Sequence, residues 1–123
     1  MIILHPVYYG RMRKSLLILL FFVSLGGVHK ASAQLDKHYF FYVGRSYIID
    51  NKFRDAIETL NVLLKVDEKA YEGYFLRGIA KYNLDDLLGA EQDFSYAIEN
   101  NPVFTAAYQY RAISRSRLGN YDD

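Results

Sequence analysis

The 123-residue chain contains no cysteine and no tryptophan, and it has only two prolines and three histidines. Without cysteine it can form no disulfide, no thiolate metal site, no cysteine nucleophile and no lipid-modified N-terminal cysteine. His5 and His29 lie near the start, so His38 is the only imidazole after Gln34. A single histidine cannot complete a catalytic triad or a metal cluster. The sequence therefore predicts a protein that is not an enzyme and that needs no metal and no cofactor.

Negatively charged residues are also absent from the first part of the chain. Arg11, Arg13, Lys14 and Lys30 precede Gln34, and every acidic residue follows it. From Gln34 onward, 11 Lys and Arg stand against 14 Asp and Glu, a formal charge of −3. Such a balance gives no basic surface that would attract a nucleic acid by bulk charge. No nucleic-acid partner is expected.

An uncharged apolar stretch, SLLILLFFVSLGGV from Ser15 to Val28, follows the basic residues and is itself followed by Ala31-Ser32-Ala33. This order is typical of a secretory signal peptide with its cleavage site. The stretch is shorter than the ~20 residues that span a bilayer as a helix, so an uncleaved signal anchor is the weaker alternative. We expect residues 1–33 to be the signal peptide, with translation starting at Met12. The mature product is then exported, periplasmic or secreted, without a permanent membrane span.

Residues of the same type return at intervals of 34 along the rest of the chain, which predicts a repeat architecture. The matching sets are Phe40, Tyr74 and Tyr108; Gly44, Gly78 and Ala112; Ala56 and Ala90; Leu60 and Phe94; and Leu63 and Ala97. The first set is aromatic and the second is small. Small residues at fixed spacing allow two helix backbones to cross closely, while rings fill the remaining space.

These residues resemble the tetratricopeptide repeat (TPR), and the second unit follows that pattern from Tyr74 to Pro102. The first unit has Glu68 where the proline would fall, and the third stops soon after Tyr121. The resemblance implies an all-α fold of antiparallel helix-turn-helix repeats, stacked as a right-handed α-solenoid of about two and a half repeats. The units are residues 37–70, 71–104 and the partial 105–123. The residues that it assigns to repeat packing are Phe40, Gly44, Ala56, Tyr74, Gly78, Ala90, Phe94, Ala97, Pro102, Tyr108 and Ala112.

The spacing of apolar residues predicts the same helices without reference to the family. We expect helices at residues 37–50, 53–66, 71–84, 87–100 and 105–118. Asp50-Asn51, Asn83 to Asp86 and Leu118-Gly119-Asn120 separate the two helices of each unit, because these residues tolerate left-handed backbone or cap a helix. Capping explains Asp85-Asp86 and Asp122-Asp123 more simply than a cation site does. Arg77 and Asp93 are expected to form a structural ion pair within the second repeat.

The functional surface of the TPR family is a concave groove lined by the first helix of each repeat. The groove residues implied here are Phe41, Arg45, Ile48, Phe75, Ile79, Tyr82, Gln109, Ile113 and Arg117; the wider face adds His38, Ile49, Glu72, Asn83 and Ser116. Such an apolar and aromatic surface suits a peptide anchored by hydrophobic side chains, with Arg45 or Arg117 available to an acidic group. Capture of a C-terminal carboxylate is disfavoured, because Phe41 and Arg45 replace the Lys and Asn that such relatives use. Alternatively, some of these apolar residues pack against chain that this sequence lacks.

The resemblance therefore implies a non-catalytic protein–protein interaction scaffold whose partner is an unidentified protein or peptide. The alternative is an N-terminal TPR segment of a longer exported protein, with an enzymatic or sensory activity downstream of Asp123.

Overall fold

The structure is a computed structural model that describes residues 36–119 of the chain. Those residues form five α-helices and no strand: α1 at residues 36–49, α2 at Phe53–Val66, α3 at Tyr71–Asn83, α4 at Leu87–Asn100 and α5 at Thr105–Gly119. The all-α prediction is confirmed for this part of the chain. The expected signal peptide at residues 1–33, and the expected caps Asp122 and Asp123, lie outside the described residues.

The turns between helices follow from a few residues at corresponding places in the repeat. Asn51 and Asp85, which are 34 residues apart, both have positive φ, at 58° and 64°. Asn and Asp tolerate this left-handed conformation better than most residues do. Asn51 and Asp85 therefore each follow the end of the first helix of their repeat. In the third unit α5 extends through Gly119, which does not have a positive φ. The rest of the expected interruption, Asn120, lies outside the described residues.

Small residues lie where the helices of one repeat cross, as the sequence predicts. A Cβ atom on Gly44 would lie 2.7 Å from a methyl of Leu60, and one on Gly78 would lie 2.6 Å from the ring of Phe94. Consecutive helices pack on each other from α2 to α5, and α3 also touches α5. Most of the fully buried core residues lie on α2 and α4, and Phe94 is the largest of them: Ala56, Leu60, Leu63, Ala90, Phe94 and Ala97. Ala80 of α3 and Ala107 of α5 are fully buried as well.

Three residues that the resemblance assigns to repeat packing are exposed among the described residues: Pro102, Tyr108 and Ala112. Tyr108 and Ala112 lie on α5, at the positions where α3 has Tyr74 and Gly78. α4 covers the α3 positions, but no helix among residues 36–119 covers those of α5. The buried residues of α5 are only Ala107 and Ser114, both small.

The predicted ion pair of Arg77 and Asp93 is present and joins α3 to α4. Arg77 donates from Nε and Nη2 to the two carboxylate oxygens of Asp93, at 2.8 and 2.7 Å. Lys81 adds a second cation, with its Nζ atom 2.9 Å from Asp93 Oδ2. The carboxylate is 1% exposed, so two cations compensate one buried charge.

Candidate interaction surface

The predicted groove residues lie in three stripes, one on each of α1, α3 and α5. Residues 41, 45 and 48 share one face of α1, and residues 75, 79 and 82 share the corresponding face of α3. Residues 109 and 113 continue the pattern on α5, with residue 117 one helical turn further. The three helices are the first members of the successive repeats, which is where the TPR resemblance placed the concave surface.

Tyr82, Arg117 and Asp85 form a contact that links two of these stripes. The guanidinium carbon of Arg117 lies 4.8 Å from the centroid of the Tyr82 ring, which is a cation–π geometry. Arg117 Nη2 also donates to Asp85 Oδ1 at 2.7 Å. One of the two arginines that were expected to receive an acidic ligand group is therefore already paired with an aspartate of this chain.

Phe75 was predicted as a groove residue, but its ring is half-buried among other rings. Its centroid lies 4.9 Å from that of Phe104, 5.5 Å from Tyr110 and 5.8 Å from Phe94. These edge-on and tilted contacts fasten α5 and the loop before it onto α3. Phe75 thus lies at the base of the surface between α3 and α5, and its ring also packs these two helices together.

The remaining predicted residues differ in how accessible they are. Phe41 and Ile48 are half-buried and pack against the cluster of Ala56, Leu60, Leu63 and Ala80, which limits what they can offer to a ligand. Ile79 is also half-buried, whereas Arg45, Gln109 and Ile113 are exposed. No ion pair joins Arg45 to another residue in the described range. Arg45 is therefore better placed than Arg117 to meet an acidic ligand group.

A cleft of about 390 Å³ lies between the N-terminal ends of α1 and α3. His38, Phe41 and Glu72, which sequence reasoning placed on the concave face, line it together with Tyr42 and Tyr71. Leu63 and Gly73, both buried, also contribute to its wall. A Cβ atom on Gly73 would lie 3.0 Å from a methyl of Leu63, so the glycine keeps α2 and α3 close together at this point. The cleft is large enough for an aromatic or aliphatic side chain.

The turn between α2 and α3 supplies cleft residues that the sequence analysis missed. Asp67 pairs with Lys37 of α1 across the cleft, and its Oδ1 atom accepts the backbone N–H of Lys69 at 3.0 Å. The Lys37 ammonium beside Asp67 lowers the pKa of that carboxyl, although partial burial opposes the shift. The repeat pattern could not indicate these residues, because it assigns the groove to first helices and leaves the turns between repeats unassigned.

Two further features are absent from residues 36–119. Within residues 36–119, no group of three or more metal-ligating side chains is close enough together to hold an ion. No described helix has both the length and the apolar character that crossing a membrane requires.

No family model matches the chain, and no curated protein matches its sequence. Among solved structures it is similar to the TPR2AB domain of yeast Sti1, determined as a pHSP90 complex, with a TM-score of 0.67 and 23% identity. The match covers 77% of this chain and 39% of that one, so the chain spans well under half of the structure that it resembles. The likeness shows that the chain has a TPR-like fold of stacked helical repeats.

Proposed function

We propose that the chain is a non-catalytic scaffold that binds a peptide segment of another protein on the surface formed by α1, α3 and α5. The observation that carries the proposal is the cleft between α1 and α3, which Phe41 and the exposed Tyr42 line. Arg45 is exposed one helical turn after Phe41 on the same face of α1. An apolar side chain of the ligand enters the cleft, and an acidic group of the ligand pairs with Arg45. Aromatic walls supply contact area at a low cost in side-chain entropy.

Three further observations support a protein ligand over a small molecule. The surface continues beyond the cleft through Ile79 and Tyr82 to Ile113, so it offers separate anchor points along a groove. The cleft itself is open and contains both cations and carboxylates, unlike the enclosed apolar pocket of a small-molecule site. The similar TPR2AB domain of Sti1 is described as a complex with pHSP90, which is a precedent for a protein ligand on this fold.

A peptide-display selection on the full chain tests this proposal. The selected peptides should share an aromatic or large aliphatic residue and a nearby Asp or Glu. Arg45→Glu should weaken the best peptide about tenfold, because an attractive charge pair becomes a repulsive one. Tyr42→Ala, which trims an exposed wall of the cleft, should also weaken it.

Arg54→Glu is the matched control, since Arg54 is exposed on α2 and does not line this surface. Its peptide affinity should equal that of the wild type. Selected peptides that bind equally well to the Arg45→Glu and Tyr42→Ala variants would show that the ligand binds elsewhere.

We also propose that the scaffold is exported, on the basis of the basic, apolar and Ala31-Ser32-Ala33 segments of the sequence. Expression in a bacterium with a secretory pathway, followed by mass analysis of the envelope fraction, tests it. The product should begin at Gln34. A product that retains Leu16 to Val28 would contradict cleavage, and one confined to the cytoplasm would contradict export.

A further inference from the structure

The cleft between α1 and α3 has a counterpart one repeat later, between α3 and α5. The residues that line the cleft include Lys37, Phe41 and Ala70. The residues 34 positions later form what we call the α3–α5 site: Tyr71, Phe75 and Phe104. The same place can therefore be compared in two successive units of the repeat.

The turns that lead into α3 and α5 have the same geometry. Asp67 follows α2 with φ and ψ of −139° and 94°, and Asn101 follows α4 with −145° and 89°. Each accepts, on its side-chain Oδ1 atom, the backbone N–H two residues later, at 3.0 and 3.4 Å. The backbone N–H of Ala70 donates to the carbonyl of Asp67 at 3.2 Å, and that of Phe104 donates to Asn101 at 3.1 Å. Ala70 and Phe104 therefore hold equivalent positions in their units.

The ring of Phe104 fills the α3–α5 site. Its centroid lies 4.9 Å from that of Phe75, with 77° between the ring planes, and 5.1 Å from that of Tyr71, with 70° between the planes. Both are edge-to-face arrangements, which aromatic pairs prefer over a face-to-face stack. One phenylalanine side chain thus occupies the space between the N-terminal ends of α3 and α5.

The cleft between α1 and α3 has a similar wall but no such ring from residue 70. Phe41 is the counterpart of Phe75, whereas Ala70 contributes only a methyl group where Phe104 contributes a ring. Tyr71 adds a second aromatic side chain to the lining, from the α3 side. The cleft of about 390 Å³ therefore lies where the next repeat places a ring.

We propose that the cleft binds an aromatic side chain of the peptide ligand, in the place that Phe104 occupies in the α3–α5 site. This inference rests on the proposed function and names the ligand residue that enters the cleft; phenylalanine fits best. Its ring lies edge-on to Phe41, and the side chain of Lys37 lies beside it in place of Tyr71. Because the ammonium of Lys37 pairs with Asp67, the apolar stem of Lys37 is the part that meets the ring.

An aliphatic side chain of the same volume is a weaker ligand for the cleft. It buries similar apolar area but cannot make the edge-to-face contact with Phe41 that Phe104 makes with Phe75. The comparison of an aromatic with a saturated ring therefore separates this proposal from simple filling of an apolar space.

The probe is N-acetyl-phenylalanine amide, and its matched control compound is N-acetyl-cyclohexylalanine amide. Each is titrated into the isotope-labelled full chain and followed by NMR. The phenylalanine compound should shift the signals of Ala70, Gly73 and Phe41, with a dissociation constant on the order of millimolar, as expected for so small a ligand. The cyclohexyl compound should bind about fivefold more weakly.

Ala70→Phe supplies the missing ring from the chain itself. It should weaken binding of the phenylalanine compound at least tenfold, because the new ring occupies the cleft. It should also raise the melting temperature, because the ring is buried against Phe41 as Phe104 is against Phe75. Ala70→Leu fills the cleft with a smaller side chain and gives the same test if Ala70→Phe does not fold.

Gln92→Phe is the matched control variant, since it adds a ring at an exposed position on α4 that does not line the cleft. It should bind the phenylalanine compound as the wild type does. Its melting temperature should not rise, because the added ring remains in water.

The peptides selected on the chain distinguish failure of this inference from failure of the proposed function. Peptides that are weakened by Arg45→Glu but bind Ala70→Phe as well as wild type would keep the proposed function and refute the aromatic occupant. Peptides that are affected by neither Arg45→Glu, Tyr42→Ala nor Ala70→Phe would refute both.

The small compounds can also refute the inference directly. Equal affinity of the two compounds would show that the cleft does not select an aromatic ring, and an absence of shifts at Ala70 and Gly73 would show that it takes none. In the chain without a probe, nuclear Overhauser contacts from the Ala70 methyl to a residue before Asp36 would make the chain's own N-terminal part the occupant.

Discussion

Asp93 on α4 accepts both hydrogen bonds of the Arg77 fork while it is almost completely buried, and Lys81 approaches it from the next turn of α3. The arrangement connects the two helices of one repeat at their crossing, beside Gly78 and Phe94. Because Arg77 also donates to Asn61 on α2, at 2.7 Å, the same guanidinium connects the second repeat to the first. Arg77 therefore connects three helices, while the Asp93 carboxylate balances the charge between α3 and α4.

Asp93→Asn should lower the free energy of unfolding by about 3 kcal/mol, near the lower end for breaking a buried pair, because Arg77 and Lys81 retain some access to water. Glu91→Gln, which breaks the exposed pair of Glu91 with Arg115, should cost less than about 1 kcal/mol. Urea unfolding of the two variants at neutral pH measures both values. Equal losses of stability in the two variants would mean that burial does not determine how much each ion pair contributes to the free energy of unfolding.

Gly78→Ala should destabilise the fold, since the added methyl would lie 2.6 Å from the Phe94 ring, which is fully buried. Overpacking of this kind costs about 1–3 kcal/mol, and Gly78→Leu should cost more than Gly78→Ala. Gly119→Ala is the same chemical change at a position where the new methyl meets nothing within 4 Å among residues 36–119. It should leave the melting temperature unchanged or raise it, because alanine favours helix more than glycine does. A Gly78→Ala variant as stable as the wild type would refute the close crossing of α3 and α4.

The pairing of Asp67 with Lys37 makes a small part of the stability depend on pH. The pKa of Asp67 is lower in the folded chain than its ordinary value of 3.8, so folding is favoured by its ionisation. This contribution is present above pH 3.8 and is lost as the pH falls through the lower folded pKa. Because both side chains are partly exposed, we expect it to be below about 1 kcal/mol.

Urea unfolding of the wild type and of Asp67→Asn at pH 7 and pH 2 checks this. The variant should be less stable at pH 7 and equally stable at pH 2. A difference that persists at pH 2 would assign the effect to something other than the charge of Asp67.

The N-cap of α4 makes a side-chain hydrogen bond that the N-cap of α2 lacks, and this difference can be used to change the stability of the chain. Asp86, the N-cap of α4, accepts the backbone N–H of Gly89 at 3.0 Å, so Asp86→Ala should cost about 1 kcal/mol. Lys52, the N-cap of α2, makes no such bond, although its φ and ψ of −88° and 65° are close to the −83° and 75° of Asp86. Lys52→Asp should therefore raise stability by about 0.5–1 kcal/mol, as measured by thermal unfolding. A loss of stability in Lys52→Asp would show that the two turns are not equivalent.

The sequence predicts the helices well because turn residues and apolar spacing are local properties. Asp50-Asn51 and Asn83 to Asp86 separate helices as expected. α3 and α5 differ from their expected bounds by one residue at one end, and α1 lies one residue earlier than expected at both ends. The Arg77–Asp93 pair could also be predicted, since a repeat fixes which faces of its two helices meet. The all-α class and the stacked-repeat fold are confirmed by the structure and its likeness to Sti1.

The surface is less predictable, because exposure depends on contacts between elements far apart in sequence. Phe75 occupies a groove position, yet Phe104 and Tyr110 surround its ring, and nothing in a 34-residue period indicates that. Asp67 and Lys69 line the cleft only because the turn after α2 folds back beside α1. The assignment of the groove residues to a ligand and the signal peptide both remain predictions.

The small size of the residues that α5 buries has a consequence for how the chain opens. Ala107 and Ser114 remove little apolar surface from water, whereas α4 buries Leu87, Phe94 and three other residues. In a repeat array each helix is held chiefly by its neighbours, so local opening should begin at α5 and should not require the rest to unfold. Amide hydrogen exchange should accordingly be fastest along α5 and slower in α4.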